Sequence, residues 1–177
     1  MHNIDLQHET KPLRIGIIGI GFWSMFTHVP AIRSSERAQL VSISRRTPER
    51  LELARQSLNV SHAYTDWREL INRNELDAVV VSTAHPAHAE PVIAALEHGL
   101  HVFVEKPLAV TSHDARLMVQ AAEKAERVLM VGYDRRFKGL FRTIKSEIQN
   151  GAIGTVRQVS VSVAQDYFGL FGGDTIP

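Results

Sequence analysis

Near the amino-terminal end, Leu13 to Ile18 form an apolar run that breaks at Gly19 and Gly21. No other feature of the chain constrains its fold as tightly. Its length and composition predict a buried strand that turns sharply at the glycines, with a helix starting near Trp23 or Ser24. Such a strand-turn-helix aims backbone N–H groups and the positive end of a helix dipole at one point, which suits a pyrophosphate. In the G-x-G-x-x-G pattern the third glycine lets the helix lie close on the strand, and here small Ser24 takes its place. An ordinary tight turn would look the same over so few residues, so the rest of the chain must decide.

Downstream, short β-branched runs alternate with helical patterns. Strands are predicted at Leu13–Ile18, Gln39–Ser44, Ala78–Ser82, His101–Val104 and Val128–Val131, the last four apolar without strict alternation, as in parallel strands buried on both faces. Helices are predicted over Pro48–Leu58 behind Thr47, Trp67–Asn72 behind Asp66, Ala87–Glu97 with a glycine stop at His98-Gly99, and Ser112–Glu126. The last begins with Thr111-Ser112-His113-Asp114, a capping box with Asp in place of Glu or Gln. This β-α-β-α order argues for an α/β fold with a doubly wound parallel sheet and right-handed crossovers.

The carboxyl-terminal part patterns differently. Phe137 to Gln149 is predicted helical, stopping at Asn150-Gly151. After Ile153-Gly154, Val156 to Ala164 alternates, with Val159, Val161 and Val163 on one face and Ser160 and Ser162 on the other. Alternation is the habit of an antiparallel sheet with one polar face, and one strand alone leaves open edges that invite other chains. The expectation is the first strand of a second, α+β domain that the chain as given does not contain, glycine-rich Gln165–Pro177 following it. An extra edge strand on the first sheet is the alternative. The boundaries drawn are 12–135 for a dinucleotide-binding domain, and 136–177 for a linker helix and the first strand of a truncated domain.

Two constellations bear on chemistry. At the end of the second strand, where an acidic residue would accept from a ribose 2′-OH, stand Ser44, Arg45 and Arg46. A hydroxyl and two guanidiniums suit a 2′-phosphate and favour NADP over NAD; a solvated Arg pair is the competing reading, and cations at a helix start count against it. Further on, a buried strand delivers Glu105-Lys106 at its carboxyl end, with Pro107 stopping it. A partly desolvated Lys is a fitting acid-base group, whereas a surface ion pair is what such a dipeptide more often makes.

The order Gly19-Ile20-Gly21, His28-Val29-Pro30-Ala31, Pro48-Glu49-Arg50, Asp77 to Thr83, His88, Glu105-Lys106-Pro107-Leu108 and Gly132 to Phe137 resembles the glucose–fructose oxidoreductase / inositol dehydrogenase / MocA (Gfo/Idh/MocA) family over roughly residues 12 to 165. The resemblance implies a Rossmann domain binding NAD(P), followed by an α/β substrate domain with a large open sheet. It implies an oxidoreductase interconverting an alcohol and a carbonyl on a sugar, cyclitol or related polyol, with Lys106 at the reacting oxygen and a cis Lys106-Pro107 bond. Cofactor contacts are implied for Gly19, Gly21, Phe22, Trp23, Ser44, Arg45, Arg46, Thr83, His85, His88, Glu105 and Lys106; Lys106, Tyr133 and Arg136 are implied near the substrate. Packing competes with cofactor contact at Trp23 and His88, and an ion pair with ligand binding at Arg136. Ser24, Ala84 and His85 depart from the family pattern. The family's acid-base Asp and His belong to the second domain, so efficient turnover is not expected of the chain as given. A non-catalytic NADP sensor or an inactive fragment of the same fold is the alternative.

Composition excludes other classes. The 177 residues carry 20 basic and 19 acidic side chains, net charge +1, which gives no field for nucleic acid or a membrane surface. There is no cysteine, so disulfides and zinc-thiolate sites are excluded. His85 and His88 have no carboxylate at ligand spacing, and no metal is expected. No signal-peptide pattern or transmembrane-length run occurs, making a cytoplasmic protein the expectation. A small-molecule substrate is the expected partner, with homo-oligomerisation through the Val156–Ala164 strand.

Overall fold

The computed structural model describes residues 11–73 and 75–164; the glycine-rich 165–177 lies outside the described residues. Six parallel strands, β1 (Leu13–Ile18), β2 (Ala38–Ser44), β3 (His62–Tyr64), β4 (Ala78–Val81), β5 (His101–Val104) and β6 (Leu129–Val131), form one sheet in the order β3-β2-β1-β4-β5-β6. This is the doubly wound Rossmann order, reversing direction between β1 and β4. Neighbouring residues on one strand feed opposite faces. Ile17 and Val80 enter an apolar layer with Val29, Ile32, Leu51 and Leu58, while Ile18, Val79 and Val81 enter another with Leu70, Val92, Leu96 and Met118. Both faces are covered, and this is why the strands read as unbroken apolar runs.

The first helix begins at Phe22, widens into a π turn over Ser24–His28 and ends as α1 (Val29–Arg33). Its partners are α2 (Pro48–Leu58), α3 (Trp67–Arg73), α4 (Ala89–Glu97) and α5 (Ser112–Ala125), with a 3-10 turn His85–Ala87 ahead of α4. Thr47 stands extended before Pro48 but makes no side-chain cap bond. Thr111 does cap α5: its Oγ1 accepts from the Asp114 N–H at 3.0 Å and donates to Asp114 Oδ2 at 2.8 Å. Gly99 closes α4 at φ +78°, its N–H donating to the Leu96 carbonyl.

The chain divides into two compact units, one running through Gly132 and one from Tyr133. The second contains a 3-10 turn Asp134–Phe137 and the helix α6 (Gly139–Gln149). The strand expected over Val156–Ala164 is not formed: these residues carry no ladder. The pattern for a strand is present, but a strand exists only through hydrogen bonds to a neighbour, and the described residues provide none.

Candidate functional site

Open α/β sheets bind ligands outside the carboxyl ends of their strands, at the reversal of strand order. Here that edge gathers the glycine turn after β1, Arg45 and Arg46 after β2, the Thr83–His88 segment after β4, and Glu105-Lys106-Pro107 after β5.

The two glycines of the turn are required for different reasons. Gly19 has φ +88°, and a Cβ there would lie 2.8 Å from the Ser82 carbonyl oxygen. The amides of Gly19 and Ile20 both donate to the Ser44 carbonyl, at 3.0 and 2.9 Å. These two N–H groups therefore stitch β1 to β2 rather than facing a ligand. Gly21 has an unstrained backbone, and a Cβ there would meet nothing nearer than the Gly19 oxygen at 3.9 Å and an Arg45 guanidinium nitrogen at 4.0 Å. Among the described residues nothing crowds the backbone at Gly21. A group that must approach the backbone closely, as a pyrophosphate does, fits there. Ser24 is fully buried, its hydroxyl donating to the Gly19 carbonyl at 3.2 Å, so the helix packs close despite the missing third glycine.

Arg45 reaches across this turn, donating to the Ile20 carbonyl at 3.2 Å. Burial, and then the neighbouring Arg50 guanidinium, hold its pKa below the ordinary value. The end of β2 thus carries two facing cations, a site that an added phosphate would relieve. In the sequence Arg50 stands out only as part of the Pro48-Glu49-Arg50 motif; its place in the first turn of a helix behind Arg45-Arg46 is the signal for a role beside them. Arg46 is exposed. Ser44, expected to offer a hydroxyl, is 2% exposed and is seen here through its carbonyl, because it is the last residue of β2, paired in register with Ile18.

Beyond β4, Thr83 is half-buried, its hydroxyl donating to the Ala87 carbonyl at 3.0 Å, and His85 is exposed. His88 is not presented to a ligand. It is fully buried, with Nδ1 2.9 Å from the Pro107 carbonyl oxygen and Nε2 3.1 Å from that of Thr83. Each ring nitrogen lies against a backbone oxygen, and a neutral imidazole can donate to one of the two, so the cofactor contact expected of His88 gives way to a buried place between the β4 and β5 loops.

Glu105 and Lys106 part company. The Lys106-Pro107 bond is cis, and Lys106 is exposed. Glu105 is 9% exposed, and its partner is not the lysine side chain but His28, with Nε2 2.9 Å from Oε1; Trp23 Nε1 donates to the same oxygen at 2.8 Å. Burial pushes the Glu105 carboxyl up, but the bonds from His28 and Trp23, the His28 charge and the Lys106 amide outweigh it and hold the carboxyl below its usual range. The surface ion pair weighed from sequence is therefore not formed. Trp23 is 42% exposed and Phe22, beside it, 39%. His28 was legible only as part of a motif; its acceptor lies 77 residues away.

Tyr133 and Arg136 belong to the second unit, where with Arg135, Phe141 and Lys145 they line an open recess of about 490 Å³. Arg136 makes none of the ion pairs found among the described residues. Those residues hold no cluster of three potential metal ligands and no helix long and apolar enough to cross a membrane.

Residues 13–133 match the oxidoreductase family GFO_IDH_MocA, described by its NAD-binding Rossmann fold. The chain is 34% identical over 167 residues to a myo-inositol 2-dehydrogenase from Thermotoga maritima, covering 91% of this chain and 50% of that one. It is 32% identical over 163 residues to a D-apiose dehydrogenase from Paraburkholderia graminis, covering 92% and 43%. Among solved structures, a scyllo-inositol dehydrogenase from Lactobacillus casei with bound NAD(H) and scyllo-inositol superimposes with a TM-score of 0.76 at 27% identity, covering 81% of this chain and 43% of that one. The chain spans about half the length of the curated relatives it matches.

Proposed function

This chain belongs to the Gfo/Idh/MocA family of oxidoreductases, with its NAD-binding Rossmann fold, and from that premise we propose that it is the cofactor-binding part of a dehydrogenase that prefers NADP and interconverts an alcohol and a carbonyl on a sugar, cyclitol or related polyol. In this reading 12–135 is the dinucleotide domain, and 136–177 begins the substrate domain. The nicotinamide, when bound, supplies the hydride donor or acceptor. The chain's own residues bind and orient. First-turn amides beside Gly21 hold the pyrophosphate, with Phe22 and Trp23 flanking it. Arg45 and Arg46, joined by Arg50, hold the 2′-phosphate. Thr83 and His85 border the nicotinamide ribose. Lys106 meets the reacting oxygen, polarising a carbonyl or taking the proton of an alcohol through Nζ. Tyr133 and Arg136 are assigned to the substrate.

The observation that carries this reading is the uncrowded backbone at Gly21, where an added Cβ would meet nothing nearer than 3.9 Å, with the Arg45 guanidinium across it. The test is titration of the chain with NADPH and with NADH, followed by fluorescence. NADPH should bind about tenfold more tightly, the worth of one charge-assisted hydrogen bond. Arg45→Ala should narrow that difference and removal of Arg46 as well should erase it, and equal affinity in the parent would remove the NADP preference. Loss of NADPH fluorescence on adding the keto form of a polyol would mark turnover. Binding without turnover would favour a non-catalytic sensor of the same fold.

A further inference from the structure

Glu105 is the buried acid of this edge, and the proposed chemistry leaves its carboxylate unused. Both oxygens are taken. Oε1 accepts from Trp23 and lies 2.9 Å from His28 Nε2, and Oε2 accepts from the Lys106 amide at 3.2 Å. Trp23 and His28 share one helix but stand five residues apart. On an ideal α-helix that spacing points two side chains about 140° apart. The π turn removes the splay: the Val29 N–H donates to the Ser24 carbonyl, widening the coil so that both side chains meet one oxygen. The rest of the pocket is tight. The His28 ring stands edge-on to Phe103 at 5.3 Å between centroids, and a Cβ on Gly132 would lie 3.3 Å from Oε1.

Trp23 sits in the first turn of the helix, beside the glycine turn, and Lys106 is the next residue along from Glu105. We propose that Glu105 is a positioning residue whose single carboxylate transmits movement of the helix's first turn to the Lys106 backbone, so that filling the glycine turn sets the point from which Lys106 reaches. This rests on the reading of the turn as a dinucleotide site and of Lys106 as the proton carrier. A Glu105 that touched the cofactor directly would have to release one of these donors. A Glu105 that only packed would not relay a change at Trp23.

Amide NMR on the whole chain separates these cases. Trp23→Phe removes one donor from a half-exposed position, where the fold tolerates it, and should shift the Lys106 amide signal. The same substitution in a Glu105→Gln background should leave that signal in place. Glu105→Gln alone should speed Lys106 amide exchange roughly tenfold, as expected for loss of a charge-assisted bond. NADP+ is then added to the parent. Movement of the Gly21 and Trp23 amides supports the dinucleotide reading, and Lys106 should follow them in the parent but not in Glu105→Gln. If Trp23→Phe leaves the Lys106 amide unmoved, the relay is overturned whether or not nucleotide binds. If it moves Lys106 while NADP+ and NAD+ leave Gly21 and Trp23 untouched, the link from Trp23 through Glu105 to Lys106 stands, and the cofactor reading falls together with the nucleotide control that rests on it.

Discussion

Gly19 and Gly21 stand two positions apart and respond oppositely to the same substitution. Gly19→Ala puts a methyl 2.8 Å from a backbone oxygen at φ +88°, a strain no rotamer relieves. A loss of about 2 kcal/mol or more is expected, read as a lowered urea midpoint. Gly21→Ala meets only ordinary contacts in the chain, so its midpoint should match the parent's while nucleotide binding weakens about tenfold or more, a loss above 1.4 kcal/mol. Equal loss of stability in both variants would mean that Gly21 serves packing. Glu105 gives a second prediction at this scale. Its carboxyl is held below the usual range in the folded chain, so its stabilising contribution is full above the ordinary carboxylate pKa of about 4.3 and is lost as pH falls through the lower, folded value. Urea midpoints of the parent and Glu105→Gln should differ most above that range and converge below it. Curves that stay parallel down to acid pH would show that the ionised form is not specially stabilised.

Elements whose ends are fixed by local chemistry could be read from sequence. The bounds of α2 are as expected because Thr47-Pro48 starts a helix and Asn59, at φ 47°, ends it. The Thr111–Asp114 box sets the start of α5 in the same way, and Thr111→Ala should cost about 1 kcal/mol, seen in the denaturation midpoint. A cost near zero would mean that packing of Met118 and Ala122 alone fixes that end. The elements that escaped depend on distant partners. β3 is three residues, too short to show a period, and is a strand only through its pairing with Ser42–Ser44. Val156–Ala164 has the period of a strand and no pairing neighbour among the described residues. The site divides along the same line. The glycine turn and Arg45 were legible because their signals are contiguous, whereas the partners of Glu105 lie 77 and 82 residues away and their convergence needs a π turn that no composition announces.

The unit through Gly132 buries apolar residues on both faces of its sheet, whereas the described residues of the unit from Tyr133 leave theirs exposed. On α6, Leu140 is 69% exposed and Ile144 46%; farther on, Val159 and Val161 are 73% and 69% exposed. Exposed apolar side chains of that kind, with no ladder over 156–164 among the described residues, favour association between copies. Sedimentation velocity over a hundredfold concentration range should show self-association, and replacing Val159, Val161 and Val163 with Thr should diminish it. A single monomeric species throughout would remove this expectation.

The π turn over Ser24–His28 carries a consequence for how this chain can vary. Trp23 and His28 meet one oxygen because of the number of residues between them, not because of which residues those are. Substitutions at solvent-facing Phe26, 70% exposed, should leave that meeting intact. Deleting one residue between them would return the coil to ordinary α-helical winding and set the two side chains about 40° apart, still on one face, whereas straightening the coil at its present length would splay them. At this place the chain is tolerant of spelling, and its length and its winding can change only together.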